Sequence, residues 1–246
     1  ACIEALMKHS PRDHENSKGG TSLVHVISSP NPKANIVQAL LRSGESANYE
    51  TSTGLTPLTE ASKRGHVEIM SILCEAGANA DLITRHGKTA LMHAVAENSI
   101  QAINFLVHVG ADLELETRYG ENAMLMAAGS GNVDCLLALM ERGFKPTREN
   151  KRGETPLFRA VVKSHTHIIN ILLGKGIAID YQSQMTGDTA LIVAARLGDH
   201  SILKLLLDRG ACMEMENKKG QNAMTIAIFY GRRQCVSTLL ERRGGY

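Results

Sequence analysis

Two groups of side chains in this sequence are of the kinds that bind metal ions. His165 and His167 are separated by one residue, and imidazole nitrogens are common zinc ligands. Asp112, Glu114 and Glu116 alternate along a polar stretch, and carboxylate oxygens are the ligands that calcium prefers. However, alternate residues of a helix point about 200° apart, and no loop of the EF-hand type surrounds the acids. We therefore expect a histidine of a turn at position 165, solvated acids and no metal site.

The cysteines offer little chemistry either. The sequence has five, an odd number, and no two are spaced as Cys-x-x-Cys. This pattern favours buried free thiols over disulfides or zinc. Free thiols in turn favour a reducing intracellular compartment, either the cytoplasm or the nucleus. The five are Cys2, Cys74, Cys135, Cys212 and Cys235. The sequence contains no nucleophile elbow, dinucleotide-binding glycine motif or Walker loop. We therefore expect no enzyme, no catalytic residues, no cofactor and no small-molecule substrate.

A motif that recurs every 33 to 35 residues must position all of these side chains. Its clearest copy is Gly54-Leu55-Thr56-Pro57-Leu58-Thr59-Glu60-Ala61, which has the form GxTxLxxA. The glycines of its seven copies stand at positions 19, 54, 87, 120, 153, 187 and 220. A period of this length is typical of a solenoid, in which each repeat packs only on its neighbours.

The glycines divide the chain into repeats within a single domain. Residues 1–18 are predicted to be the second helix and the loop of a partial repeat. We expect seven further repeats at residues 19–53, 54–86, 87–119, 120–152, 153–186, 187–219 and 220–246. The chain begins in the middle of the pattern and has no initiator methionine, which suggests a piece of a larger protein.

Each repeat is predicted to contain two short helices and a finger. Thr56 is placed to cap a first helix and Pro57 to occupy its first turn, while Gly65 ends it. A second helix is predicted from Val67 to about Glu75. The polar stretch 112–119, with its alternating leucines, predicts a hairpin-like finger that projects from the stack.

These motifs together resemble the ankyrin repeat over essentially the whole chain. The resemblance rests on GxTPLxxA and on the segments Gly65-His66-Val67-Glu68-Ile69 and Leu73-Cys74-Glu75-Ala76-Gly77-Ala78. It implies an all-α ankyrin-repeat solenoid of stacked helix-turn-helix units with hairpin-like fingers. One departure is that the family's usual histidine after the leucine of TPLH is absent, so we expect apolar packing to replace its hydrogen bonds. The residues in its place are Val24, Thr59, Met92, Leu125, Phe158, Ile192 and Thr225.

The resemblance also implies that partners bind at the finger tips and at the exposed ends of the first helices, along one concave groove. Seven of the fourteen tip residues before the glycines are Lys or Arg and none is acidic, although the net charge is only +2. This basic stripe predicts an acidic partner, or else serves only solubility. An apolar and aromatic patch at the C-terminal end is either a binding hot spot or part of a cap. The expected partner-binding residues are Lys63, Arg64, Arg85, His86, Arg118, Tyr119, Lys151, Arg152, Lys163, Arg196, Leu197, Lys218, Lys219, Phe229 and Tyr230.

Two functions are consistent with these features. The first is a non-catalytic module that binds an acidic protein or peptide, and the second is a structural spacer or intramolecular dock within a larger multidomain protein. We predict no nucleic-acid partner, because few aromatic residues lie among the basic ones. We also predict a monomer. Insertion into a membrane is not expected, because no apolar run approaches the length of a membrane span.

Overall fold

The computed structural model describes residues 15–16, 19–143 and 149–244, and every regular element in these ranges is an α-helix. None of these helices has both the length and the apolarity needed to cross a membrane. The prediction of an all-α fold is therefore confirmed for the described residues. The predicted partial repeat at 1–18 lies outside them, apart from residues 15 and 16. The helices are α1 (Ser22–Ile27), α2 (Ala34–Arg42), α3 (Pro57–Arg64), α4 (Val67–Glu75), α5 (Ala90–Ala96), α6 (Ile100–His108), α7 (Ala123–Ser130), α8 (Val133–Glu141), α9 (Pro156–Val162), α10 (Thr166–Gly174), α11 (Ala190–Leu197), α12 (His200–Asp208), α13 (Ala223–Phe229) and α14 (Arg233–Gly244).

The helices form two compact units. The first contains the described residues up to 126 together with 137–143, and the second contains 127–136 and the residues from 149 onward. In the first unit α1, α3 and α5 pack side by side, and α2, α4 and α6 form a second layer. In the second unit α9, α11 and α13 pack side by side, and α10, α12 and α14 each pack against the first helix of their own repeat. The predicted stacking of helix pairs is confirmed within each unit, while the repeat boundaries stay predictions.

Polar caps begin the first helices, as the sequence predicts. Thr56 has an extended backbone, and its hydroxyl accepts a hydrogen bond from the N–H of Thr59 at 3.1 Å, while Pro57 occupies the first turn. Thr155 caps α9 in the same way, again ahead of a proline. Gly65 ends α3 with a left-handed φ of 72°. Both ends of α3 therefore follow from local hydrogen bonds and backbone geometry.

The position after the motif leucine is filled in two ways. Five repeats place a buried apolar side chain there, as predicted, and these are Val24, Met92, Leu125, Phe158 and Ile192. In the other two repeats the prediction of apolar packing is wrong, because Thr59 and Thr225 form capping boxes. The Thr59 hydroxyl accepts from the N–H of Thr56 at 2.7 Å and donates to the Thr56 carbonyl at 2.9 Å. A threonine at this position thus satisfies main-chain groups at the start of its own helix.

Replacement of Thr59 by valine is expected to lower the free energy of unfolding by about 1–2 kcal/mol. Valine keeps the shape but leaves the buried N–H of Thr56 without its acceptor. The matched control is Thr225→Val, which breaks the same box at an exposed site where water can replace the hydroxyl, and it should cost about half as much or less. Urea denaturation followed by circular dichroism measures both. Equal losses would show that burial of the Thr56 amide is not the cause.

The alanine that closes the motif is a buried residue of the first helix. It has no solvent exposure in six repeats, at Ala61, Ala94, Ala127, Ala160, Ala194 and Ala227. Its small side chain lets the first helices of one unit approach closely. Helices of this length are marginal alone in water, so each is stabilised by the helices packed on it.

The cysteines differ in burial more than the sequence indicates. Cys135 and Cys235 are fully buried, as predicted, and Cys74 is half-buried. The prediction of a buried thiol is wrong at Cys212, which is exposed, and Cys2 lies outside the described residues. None of the four described cysteines forms a disulfide bond. Burial raises the pKa of Cys135 to about 11, which keeps this thiol protonated and unreactive.

Candidate partner-binding surface

The fingers are tight turns closed by two main-chain hydrogen bonds. In one of them the N–H of Thr117 donates to the carbonyl of Glu121 at 2.8 Å, and the N–H of Gly120 donates to the carbonyl of Thr117 at 2.8 Å. The same two bonds close the turns at 51–55, 84–88, 150–154 and 217–221. The fingers are therefore hairpin-like, as predicted, although the described part of the chain contains no strand.

A polar side chain at the start of each turn holds its tip, a role that the repeat pattern did not predict. The Asn150 side-chain carbonyl accepts from the N–H groups of Arg152 and Glu154 at 2.9 and 2.8 Å. Asn217 does the same in its own turn, at 2.9 and 3.1 Å. The equivalent residues, all buried, are Thr51, Thr84, Thr117 and Ser183. The signal was present as a Thr, Asn or Ser three or four residues before each finger glycine.

Two of the predicted tip residues of the first unit tie one finger to the previous one. Arg85 Nε lies 3.1 Å from Glu50 Oε1, and Arg85 Nη1 donates to the carbonyl of Ser52 at 3.1 Å. His86 Nε2 lies 2.9 Å from the carbonyl of Thr53. The guanidinium of Arg85 remains exposed, but Glu50 compensates part of its charge. Arg85 therefore contributes less to a basic surface than its position in the sequence suggests.

The other predicted tips leave their charged groups accessible. In the first unit the Arg118 guanidinium lies 4.8 Å from the centre of the Tyr119 ring, and both side chains are exposed. In the second unit Lys151 and Arg152 are exposed at the tip of their turn. A cation stacked on an exposed ring offers a partner both charge and apolar area.

The first-helix end of the repeat at 54–86 contains one cation in an ion pair and one without. Arg64 Nε lies 2.6 Å from Glu60 Oε1. The Glu60 carboxylate is buried and also accepts from the Ser28 hydroxyl at 2.9 Å. Lys63 is exposed and has no ion pair among the described residues. Of these two predicted binding residues, Lys63 is the one available to a partner.

A cavity of about 580 Å³ in the second unit brings five of the predicted residues together. The finger tips 185–186 and 218–219 line it together with residues of α11 and α13. The predicted residues in its wall are Arg196, Lys218, Lys219, Phe229 and Tyr230. The remaining lining residues were not predicted to bind a partner, and they are Met185, Thr186, Asp188, Asn217, Gln221 and Ile226. Leu197, Lys163, Lys151 and Arg152 are exposed but do not line the cavity.

A buried carboxylate compensates one of the cavity's cations. Asp188 Oδ2 lies 2.8 Å from Arg196 Nη2, and Asp188 Oδ1 accepts from Asn217 Nδ2 at 2.9 Å. Asp188 is buried, so it presents little charge to a partner. The sequence indicates only that Asp188 reduces the charge of the basic stripe, whereas the structure pairs it with Arg196. The remaining cations of the cavity are the two lysines at its finger tip.

These lysines lie beside the most exposed aromatic pair of the described chain. Lys218 Nζ donates to the Gln184 carbonyl, while Lys219 is exposed and has no ion pair among the described residues. Phe229 is 74% exposed and meets Tyr230 edge to face, with ring centres 5.1 Å apart. Phe229 thus covers little of the core. Exposed aromatic rings beside cations have the composition of a binding hot spot.

An ionised carboxylate fixes the finger that carries Met185. Glu149 accepts hydrogen bonds from the Ser183 hydroxyl at 2.6 Å, from the N–H of Gln184 at 2.8 Å and from the Tyr181 hydroxyl at 3.1 Å. Burial alone would raise the pKa of Glu149, but these hydrogen bonds outweigh it and hold the pKa below its ordinary value. Burial and the same carboxylate raise the pKa of Tyr181. One wall of the cavity is therefore anchored to the preceding finger.

Two of the side chains that resembled metal ligands, those of His165 and Asp112, have structural roles. His165 precedes α10, as predicted for a turn histidine, and its Nε2 lies 3.0 Å from the Gly129 carbonyl. The N–H of Asp112 donates to Asp81 Oδ1 at 2.7 Å, and Asp112 Oδ1 accepts from the N–H of Glu114 at 2.8 Å. Asp112 and Asp81 thus link successive loops. The described residues contain no group of three potential metal ligands.

Comparison with known families accounts for this architecture. A family model of ankyrin repeats, in three copies, matches residues 23–117, 109–184 and 176–245. The chain belongs to the ankyrin-repeat family. The capped helix pairs and the finger turns described above are therefore those of ankyrin repeats, and the resemblance noted in the sequence is confirmed.

Solved ankyrin-repeat domains have the same fold. The crystal structure of the ankyrin repeat domain of Bcl-3, a member of the IkappaB protein family, matches with a TM-score of 0.79. The match covers 90% of this chain and 99% of that one at 24% identity, which shows the fold alone. The human ASB11 ankyrin repeat domain matches with a TM-score of 0.75 and 27% identity, over 92% of this chain and 99% of that one. These likenesses confirm the predicted solenoid class.

Curated relatives match short segments of this ankyrin-repeat chain. The NAD-capped RNA hydrolase NUDT12 of Homo sapiens is 36% identical over 64 residues, which are 26% of this chain and 14% of the relative. The DNA replication inhibitor plutonium of Drosophila melanogaster is 42% identical over 59 residues, 24% of this chain and 34% of the relative. The chain therefore matches only a minor part of the length of these relatives, and their activities do not transfer to it.

Proposed function

We propose that this ankyrin-repeat chain is a non-catalytic interaction module that binds an acidic segment of a partner protein at the cavity of its second unit. The observation that carries the proposal is the exposed pair Phe229 and Tyr230 beside Lys218 and Lys219. Aromatic rings that are exposed in the free chain can be buried by a partner, and the lysines favour a partner of negative charge. The module acts as a monomer in an intracellular compartment.

The lysines and the aromatic residues contribute differently to the binding free energy. An exposed ion pair contributes about 0.2–1 kcal/mol, so the lysines alone do not give a stable complex. An aromatic hot-spot residue contributes about 2 kcal/mol or more. The other exposed tip residues, such as Arg118, Lys151 and Arg152, extend the basic surface and speed the approach of an acidic partner. Binding should therefore weaken with added salt but not vanish.

Selection of a phage-displayed library of random peptides on the folded chain tests this function. We expect enrichment of peptides that combine acidic and apolar residues. Their affinity should fall about 10-fold or more in the double variant Lys218→Glu with Lys219→Glu, because two attractive pairs become repulsive. The matched control is Lys204→Glu, which reverses an exposed cation on α12 and should change the affinity by less than about two-fold. A spacer role predicts no enriched peptide. The proposal would be contradicted by that outcome, or by enriched peptides whose affinity is the same for the double variant and the unmodified chain.

A further inference from the structure

The outer side of the repeat that begins at Gly220 exposes apolar residues whose equivalents are covered in the other repeats. Ile228 of α13 is 60% exposed, and Leu240 of α14 is 56% exposed. The residues at the position of Ile228 in the six earlier repeats have no solvent exposure, and they are Ile27, Ser62, Val95, Ala128, Val161 and Ala195. The residues at the position of Val236 are also fully buried in the earlier repeats, whereas Val236 itself is half-buried. Ile228, Val236 and Leu240, with the half-buried Met224, are here named the end face.

The end face has the composition of an interface between repeats. Within the second unit α11 packs on α9, α13 packs on α11, and α14 packs on α12. The described chain contains no helix after α14 that could cover the outer sides of α13 and α14 in the same way. The terminal repeat of a solenoid normally has a polar outer face. The apolar end face is therefore the kind of surface that another element covers.

The end of α14 differs from the ends of the earlier second helices. Each earlier one is followed two residues later by a glycine with a φ between 81° and 100°, and these are Gly44, Gly77, Gly110, Gly143, Gly176 and Gly210. A left-handed glycine at this place ends a helix. Arg243 stands at the same position after Gly220 and lies within α14, which has 12 residues where α12 has 9. The described end of α14 therefore lacks the turn that joins one repeat to the next, which favours an occupant of the end face other than a further repeat.

Two arginines flank the apolar residues of α14. At 3.6 residues per turn, one arc of about 80° on this helix contains Arg233, Val236, Leu240 and Arg243. Both arginines are exposed and have no ion pair among the described residues. Glu241 is the only acidic residue of α14, and it lies outside this arc. The end face therefore favours a partner that carries acidic residues at the two ends of an apolar stripe.

A cavity of about 120 Å³ adjoins the end face near Arg243. Its lining includes Met224, Thr225 and Leu239. Thr225 is exposed, whereas the residues at its position in the other repeats are buried. Glu214 lines the cavity as well but forms no ion pair with Arg243. A partner can therefore place an apolar side chain here, beside an arginine that has no internal ion pair to lose.

The end face fits a helix better than an extended segment. An extended segment would bring unpaired N–H and C=O groups against apolar side chains, and the described part of the chain has no strand whose edge could pair them. A helix pairs these groups internally. Arg233 and Arg243 are ten residues apart, which is about 15 Å along α14, so about three turns of a second helix span the stripe.

We propose that the end face binds an amphipathic helix of a partner protein, with acidic residues at both ends of the apolar stripe of that helix. The stripe packs on Ile228, Val236 and Leu240, and the acidic residues pair with Arg233 and Arg243. This site goes beyond the proposed function, because it shares no residue with the cavity of about 580 Å³.

Selection on the folded chain of a phage-displayed helical scaffold with one randomised face tests this site. We expect enriched helices with apolar residues at positions i, i+3 or i+4, and i+7, flanked by Asp or Glu. Their affinity should fall at least 30-fold in Leu240→Glu, and Ile228→Glu should act in the same way at a second position. The double variant Arg233→Glu with Arg243→Glu should lower the affinity about 10-fold, because two attractive pairs become repulsive.

Two matched controls locate the binding. Val109→Glu places a charge on an apolar residue of the first unit that is 42% exposed. The double variant Lys218→Glu with Lys219→Glu alters the cavity of the proposed function. Each should change the affinity for the enriched helices by less than two-fold. Circular dichroism melting of each variant shows whether the fold is unchanged.

A synthetic peptide with the sequence of an enriched helix tests the bound conformation. Its helical circular dichroism signal should rise on binding, because a helix of about three turns is marginal alone in water. Proline at two central positions prevents the helix and should lower the affinity at least 30-fold.

Several results would overturn this inference. They are enriched helices that bind Leu240→Glu and Ile228→Glu as well as the unmodified chain, enriched helices without acidic residues, a proline peptide that keeps its affinity, or no enriched helix. Sedimentation of the chain alone tests another occupant, since a dimer that dissociates in Leu240→Glu would mean that a second copy covers the end face. None of these results depends on Lys218 or Lys219, so the proposed function stands or fails separately.

Discussion

Replacement of Gly187 by alanine is expected to lower the free energy of unfolding by about 2–3 kcal/mol. Gly187 has a left-handed φ of +73°, which costs an alanine about 1–2 kcal/mol. An added Cβ would also lie 2.6 Å from the main-chain nitrogen of Lys218, whose N–H donates to the Thr186 carbonyl at 3.0 Å. Relief of this clash must disturb that hydrogen bond between neighbouring fingers. The finger that carries Lys218 would move, so affinity for an acidic peptide should fall as well.

Gly210→Ala is the matched control for this prediction. Gly210 has a similar φ of +88°, but an added Cβ there would meet no atom within 4 Å. It should therefore show the conformational cost of about 1–2 kcal/mol alone and leave peptide binding unchanged. Urea denaturation gives the two free energies, and hydrogen exchange shows whether the loss is confined to the second unit. Equal losses for the two variants would mean that the close approach to Lys218 has no energetic consequence.

Acidification from pH 6.5 to pH 4 is expected to remove up to about 3 kcal/mol of stability through His93 alone. Burial, with smaller contributions from the nearby cations Lys88 and Lys63, lowers the pKa of His93 from 6.5 to about 4, although Glu60 opposes the shift. Its Nε2 is buried without a hydrogen-bond partner among the described residues. Between these two pH values the unfolded chain binds a proton at this site and the folded chain does not. Stability is therefore complete above pH 6.5 and falls as the pH drops toward 4.

The variant His93→Leu should flatten this pH dependence. An apolar side chain fits the position, because the equivalent residues of later repeats are Val193 and Ile226. Denaturation of both proteins at a series of pH values between 4 and 7 measures the difference, and NMR titration of the His93 ring measures its pKa directly. Parallel stability profiles for the two proteins, or an ordinary pKa for the ring, would contradict the prediction.

Helix positions and caps could be predicted from the sequence because their causes are local. Thr56, Pro57 and Gly65 act within one helix through hydrogen bonds to nearby main chain or through their own backbone angles. The family could be predicted because a period of 33 to 35 residues repeats the same local signals seven times. The error at Thr59 was also local, since its hydroxyl could have been assigned to a capping box from the preceding threonine. The buried polar residues of the fingers were accessible to the same reasoning.

The candidate site depends on contacts between residues that are distant in the sequence. The fifteen basic, aromatic and apolar residues could be selected from their positions in the repeats. Their chemical environments could not be predicted in that way. Whether Arg196 offers a charge depends on Asp188, and the carboxylate is held in turn by Asn217, which lies 29 residues further along the chain. Glu149 fixes the Met185 finger across more than 30 residues.

Repeat spacing and caps are short-range properties, so the amino-acid sequence specifies the fold class and the positions that face outward. Charge compensation, the exposure of Phe229 and the 580 Å³ cavity arise where separate repeats meet. The distances between the residues involved are set by the packing of whole helices and fingers. The order of residues along one repeat does not specify that packing. The ankyrin-repeat fold was therefore predictable from the sequence, whereas the selection of a cavity within it required the folded structure.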